Sequence, residues 1–225
     1  MQDNMTKRIT LIVASVFAMS TVSVTAVRAQ TETAQYVVDS KAQSELKTRL
    51  TKLNNLQADF SQTVIDNTGS EIMQGTGLLK IKRPEKLYWK QTSPDETVLV
   101  SDGIKTFYYD EFAEQVTILD SKKLIDNTPF ALLTSADESL WQNYAVTHAD
   151  NAFVITPTNQ GQSQVERLEL KFDADALRSM TVFDNTGQTS VYVFSKQQVN
   201  QTIDDAYFQF TIPADVLVDD QSQGE

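Results

Sequence analysis

Four apolar positions open the patterned part of the chain. Ala42, Leu46, Leu50 and Leu53 recur at spacings of four, four and three, which places them on one side of a helix. Asp39 or Ser40 can cap its start, Ser40 with Gln43 fits a capping box, and Asn54-Asn55 supplies a stop. A helix with one apolar stripe needs a broad surface to bury it.

The period then changes from helical to alternating. Leu56, Ala58 and Phe60 alternate with Gln57, Asp59 and Ser61, and Asp66-Asn67-Thr68-Gly69 supplies turn residues before a second strand at Gly75 to Ile81. Lys86 to Gln91, Thr97 to Val100, Lys105 to Tyr109 and Gln115 to Leu119 continue the meander, with a turn at Ser101-Asp102-Gly103. A second series follows: Tyr144 to His148, Ala152 to Thr156, Val165 to Phe172 and Met180 to Phe183. It runs through the turn Asn185-Thr186-Gly187-Gln188 into Ser190 to Phe194, and Phe208 to Ile212 closes it by alternation. Between the series, Asn127-Thr128-Pro129-Phe130-Ala131-Leu132-Leu133 places a capping residue and a first-turn proline before an apolar run, which predicts a short helix. It is too short to stand alone and must lie on the sheet or in its mouth, with Leu140 and Trp141 nearby. The pattern predicts a mainly β (α+β) fold of about eleven antiparallel strands with helices on one side, and a sheet of that size tends to curl.

The N-terminus carries a different pattern. Lys7 and Arg8 precede an apolar run from Ile9 to Phe17 that weakens through Val24, and Val27-Arg28-Ala29 offers a cleavage point before Gln30. This is the layout of a secretory signal peptide over residues 1–29, with cleavage after Ala26 as an alternative. A membrane anchor is the competing reading, but the strongly apolar stretch falls short of the ~20 residues a crossing needs. Residues 30–225 then form one domain, with no linker-like or repeated segment.

Charge and cysteine narrow the picture further. Without residues 1–29 the chain keeps 16 basic and 29 acidic residues, a net charge of −13, which argues against nucleic acid or an anionic membrane surface and favours a basic partner. Cysteine is absent. The core must therefore hold without disulfides, and no cysteine exists to receive a lipoprotein anchor.

The sequence offers few catalytic parts. His148 is the single histidine, cysteine-based or multi-histidine zinc sites are impossible, and no nucleophile elbow, phosphate loop or dinucleotide fingerprint is present. Asp95 with Glu96, or Asp219 with Asp220, could supply a carboxylate pair, but adjacent acids on a strand point to opposite faces. The chain is not expected to be an enzyme, and no cofactor or metal is expected. One charged position remains of interest: Arg83, followed by Pro84 and an aromatic strand through Tyr88-Trp89. It is either an exposed arginine beside a turn or a latch whose guanidinium reaches carbonyls at the end of the short helix.

Arg83-Pro84, Trp89, Pro94-Asp95-Glu96, Leu99-Val100-Ser101-Asp102-Gly103, Asn127-Thr128-Pro129-Phe130 and Val218-Asp219-Asp220-Gln221, in this order, resemble the LolA family of periplasmic outer-membrane lipoprotein carriers. The resemblance runs from about Leu46 to Gln221. LolB-type receptors share the fold but are lipoproteins, which the missing cysteine disfavours. The resemblance implies an incomplete antiparallel barrel with a helical lid over a concave hydrophobic cavity. It also implies a monomer that takes triacylated lipoproteins from an inner-membrane ABC transporter of LolCDE type and passes them to a LolB-type receptor. By the same resemblance Arg83 closes the lid on the helix around Leu132, Leu133 and Thr134, and Leu87 stands where the family usually has a phenylalanine. Alternation offers Phe60, Leu78, Leu87, Trp89, Leu99, Phe107 and Phe130 as candidates for the acyl-chain cavity; a one-residue register error would invert each face. A periplasmic lipid-binding sensor or a glycolipid carrier of the same fold is the alternative.

Overall fold

In the computed structural model, residues 39–121, 131–159 and 163–222 are described. Helix α1, Ser40–Thr51, buries Ala42, Leu46 and Leu50, so the stripe read from the sequence is its packed face. Asp39 is the cap: its carboxylate accepts from the Lys41 and Ala42 backbone N–H groups at 3.0 and 3.1 Å. The capping box is not formed. Gln43 instead turns its side-chain amide toward a later segment of the chain, where it donates to the carbonyls of Trp141 and Tyr144. Asn200 fastens the other end of α1, accepting from the Asn54 and Asn55 N–H groups and donating to the Lys52 carbonyl.

Six strands follow: β1 Asn55–Ile65, β2 Glu71–Lys82, β3 Lys86–Ser93, β4 Thr97–Ser101, β5 Lys105–Asp110 and β6 Gln115–Asp120. Past the short helix α2, Ala131–Thr134, and a 3-10 turn, Glu138–Asn143, come β7 Tyr144–Ala149, β8 Ala152–Pro157, β9 Val165–Asp173, β10 Ala176–Asp184 and β11 Thr189–Val199. A last strand, β12, spans Leu217–Asp220. All twelve belong to one sheet in the order β12-β6-β5-β4-β3-β2-β1-β11-β10-β9-β8-β7. The two meanders join through β1 and β11, and the ends β12 and β7 do not meet. The sheet is an open, curved half-barrel. Turn glycines are where the spacing put them, Gly69, Gly103 and Gly187 all having positive φ (85°, 98° and 85°), a region that favours glycine.

Two expectations about the strands need correction. Phe208–Ile212 is not a ladder strand: Phe208 ends a 3-10 turn, Asp205–Phe208, and the chain then runs on to β12. Its alternation has another origin. This C-terminal strap lies flat on the outer face of the first meander, where Phe210 stacks on Phe107 at 5.5 Å and Tyr207 meets Tyr88 at 5.6 Å. Asp205 pairs there with Lys82 and Lys86. The sheet is also not wholly antiparallel, because β12 pairs with β6 in parallel.

The inner face holds the main core. Leu56, Ala58 and Phe60 of β1, Leu79 and Ile81 of β2, Leu168 and Leu170 of β9, Met180 of β10 and Tyr192 and Phe194 of β11 all join it with α1 and α2. Among the described residues no helix is long and apolar enough to cross a membrane.

Candidate functional site

The β2–β3 turn is a short corner at Arg83, Pro84 and Glu85, and it projects Arg83 toward two helix ends. Glu85 takes a left-handed backbone, with φ at 65°, which is uncommon for a residue with a side chain. Three bonds fix the corner: the Arg83 N–H donates to the Asn54 carbonyl at 2.8 Å, the Glu85 N–H to the Thr134 carbonyl at 3.0 Å, and the Ser101 hydroxyl to the Glu85 carbonyl at 3.1 Å. The guanidinium bridges from there. Nη1 donates to the Leu50 carbonyl at the end of α1, and Nη2 donates to the Leu132 carbonyl at 3.4 Å and to the Ser135 carbonyl.

These acceptors are carbonyls at helix C-termini, where a cation also meets the negative end of the helix dipole; the Leu50 carbonyl accepts from the Leu53 N–H at 3.1 Å as well. Partial burial draws the Arg83 pKa below its ordinary value, and arginine stays charged regardless. The contact is therefore a permanent cation bonded to the ends of two helices. Lys47 and Glu138 pair at 3.0 Å across the same seam, and Gln43 ties α1 to the 3-10 turn. A groove of about 240 Å³ opens beside the clamp, lined by Lys47, Leu50, Arg83, Pro84, Glu138 and Trp141 among others.

Beneath these helices the inner face is rich in aromatic rings. Phe60, Trp89 and Tyr192 form one cluster, with ring centroids 4.4 Å apart for Phe60–Trp89 and 5.1 Å for Trp89–Tyr192. Leu132 and Leu133 of α2 and Leu46 and Leu50 of α1 close over it. Tyr192 donates no charge here: burial raises its phenol pKa, and its hydroxyl accepts from the Gln62 amide at 2.9 Å.

The structure sorts the residues predicted from sequence. Arg83 bonds the Leu132 carbonyl, Thr134 receives the Glu85 N–H, and Leu133 is buried in the core. Phe60, Trp89 and Leu99 lie on the inner face, and Leu87 is half-buried against the same core. Leu78 and Phe107 do not. Leu78 pairs with Lys90 and Asp59, one residue out of step with Leu79–Trp89, so it points to the outer face. Phe107 pairs with Val100 and Ile118, and its ring is taken by Phe210. Phe130, with Asn127 to Pro129, lies outside the described residues. His148 is exposed, with its ring edge-on to Phe153 at 4.5 Å.

Sequence reasoning missed several members. The carbonyls of Leu50 and Ser135 are main-chain acceptors, which no side-chain pattern announces. Leu168, Leu170, Met180, Tyr192 and Phe194 make the second half of the inner face. Alternation through Val165 to Phe172 could have found the first two.

An open half-barrel with an apolar inner face, shut by short helices that hang on hydrogen bonds, has the build of a carrier for an apolar ligand. The family model "Outer membrane lipoprotein carrier protein LolA" matches residues 51–211. The chain belongs to this family. It is 43% identical over 195 residues to an "Outer-membrane lipoprotein carrier protein" of Pseudoalteromonas translucida, covering 86% of this chain and 92% of that one. A protein of the same description from Haemophilus influenzae is 41% identical over 181 residues, covering 80% and 87%. Among solved structures, a LolA superfamily protein from Nitrosomonas europaea superposes with a TM-score of 0.48 at 13% identity, covering 75% of this chain and 97% of that one.

Proposed function

We propose that this protein is a periplasmic chaperone for outer-membrane lipoproteins, exported by means of residues 1–29 and acting as a monomer. It receives the acyl chains of triacylated lipoproteins from an inner-membrane ABC transporter of LolCDE type and delivers them to a LolB-type receptor. Family membership supports the cargo class, and one observation carries the mechanism: Arg83 clamps the ends of α1 and α2 over the apolar inner face.

The need for a carrier follows from transfer energies. Each exposed methylene costs about 0.8 kcal/mol, so an anchor of three long chains costs tens of kcal/mol to leave in water. The inner face replaces that water with Phe60, Leu87, Trp89 and Leu99 from one meander and Leu168, Leu170 and Met180 from the other. In the closed state those side chains, with Leu132 and Leu133, pack on one another. Cargo must lift the lid to enter.

The clamp sets how tightly cargo is held. Because α1 is fastened by Asn200 at its C-terminus, the Leu50 carbonyl is the fixed post and the 131–135 segment is the part that swings. Apparent affinity scales with the fraction of molecules that are open, so every bond that favours the closed lid weakens retention and assists delivery. The acidic chain fits basic docking surfaces on its partners.

Native mass spectrometry of the protein taken from the periplasm tests the cargo. Acylated lipoproteins at one-to-one stoichiometry are expected. Recovery with a glycolipid, or with a protein lacking acyl chains, would overturn this function.

A further inference from the structure

Most buried polar groups of the inner face are paired, as the Gln62 amide is with the Tyr192 hydroxyl, and Gln91 with the Asp95 carbonyl. Three are not. Trp89 Nε1, Thr97 Oγ1 and Thr117 Oγ1 are buried with no hydrogen-bond partner among the described residues, in side chains only 6%, 6% and 1% exposed.

Their placement is ordered. Trp89 pairs with Leu99, Leu99 with Tyr108 and Tyr108 with Thr117, which makes one row across β3 to β6 on the inner face. Thr97 lies two residues from Leu99 on β4, hence on the same face and diagonal to Trp89. An indole N–H can only donate, and a hydroxyl can donate as well as accept. Left without partners, such groups are a cost carried by the empty, closed state. An acceptor with no donor of its own would relieve that cost, and a carbonyl is such a group.

We infer that this row is a polar subsite for the ester or amide carbonyls at the heads of the acyl chains, with Trp89 Nε1 as its principal donor, the Thr97 hydroxyl diagonal to it and the Thr117 hydroxyl three strands further along the row. The inference rests on the acyl-carrier reading and adds to it. Apolar contact lets a chain slide, whereas a bonded carbonyl sets its depth. The site then prefers ester-linked or amide-linked chains to alkyl ethers of equal length.

The test compares two synthetic probes on the full protein: a lipopeptide carrying a dipalmitoyl S-glyceryl cysteine and its dihexadecyl ether counterpart. The ether is the more apolar molecule, so partition alone would rank it first. The subsite predicts the reverse, with the ester bound about tenfold more tightly, the span of one net hydrogen bond. In ¹⁵N-edited spectra the Trp89 indole proton should move further downfield with the ester than with the ether, while the Trp141 indole proton should respond alike to both. Trp89→Phe should erase the preference. Thr97→Val and Thr117→Val, which keep the side-chain shape, should each reduce it. Equal binding of the two probes with the same Trp89 shift for both would overturn the subsite and leave the carrier function intact. Binding of neither would overturn both.

Discussion

Arg83 and Leu50 lie on different elements 33 residues apart, and the guanidinium of the first donates to the carbonyl of the second while its other nitrogen reaches Leu132 and Ser135. One side chain thus connects the end of α1 to the end of α2. Replacing Arg83 with Leu removes these bonds, leaving the Leu50 carbonyl only its Leu53 N–H donor and the Leu132 and Ser135 carbonyls without the guanidinium, and hydrogen bonds to a charged group contribute about 1.5–3 kcal/mol each. Hydrogen exchange in residues 131–135 should speed up by at least about tenfold. Loaded cargo should be held longer and passed to the receptor more slowly, because the closed state no longer competes.

The Lys47–Glu138 pair crosses the same seam but should matter far less. Its side chains are 35% and 77% exposed, and exposed pairs contribute between roughly 0 and 1 kcal/mol. Glu138→Ala should leave the thermal midpoint and the exchange of residues 131–135 nearly unchanged. A loss as large as that of Arg83→Leu would show that the seam is held electrostatically.

Gly77 is required by close approach. A Cβ at this position would strike the Lys90 backbone carbonyl and the Phe60 ring, neither of which can move without disturbing the β2–β3 ladder or the Phe60–Trp89 contact. Gly77→Ala should destabilise the fold by about 1–3 kcal/mol or more, read by urea unfolding. Gly69→Ala offers a contrast: nothing crowds its Cβ, so only the strain of a φ of 85° remains.

Much of this was legible from periodicity. The stripe on α1, the two meanders and the turn glycines follow from spacing, because one face of each element is buried and the other is wet. The rule failed where both faces are covered. Leu78 and Leu79 are adjacent leucines that alternation cannot rank, and Phe107 and Tyr108 are adjacent aromatics of which the strap covers the outer one too. Lys80 shows the difficulty most plainly: a lysine only 3% exposed in mid-strand, its ammonium 4.0 Å from the Tyr207 ring centroid. The strap itself was misread as a strand because a segment lying on a surface alternates for the same reason a strand does. The clamp was half legible: Arg83 is a side chain, whereas its acceptors are backbone atoms.

The strap should respond to acid. Hydrogen bonds from Lys82 and then Lys86 hold the Asp205 carboxyl below its ordinary value of 3.8. A lowered native pKa means that the contact stabilises the fold above the unfolded value, and that this is lost as pH falls through the native one. The Asp205 carboxyl carbon should therefore titrate below 3.8 in NMR spectra. At pH 7, Asp205→Asn should already quicken exchange in residues 204–212. An ordinary titration, or no change in the variant, would mean that the aromatic contacts of Tyr207 and Phe210 hold the strap without the ion pairs.

The proposed cycle turns on the lid, and one measurement reaches it most directly. Hydrogen exchange of residues 131–135 can be followed in the wild-type protein, empty and loaded with a triacylated lipopeptide, and in empty Arg83→Leu. Slow exchange is expected in the empty wild type, and faster exchange both on loading and in the unloaded variant. Equal exchange in all three samples would contradict a lid held shut by Arg83.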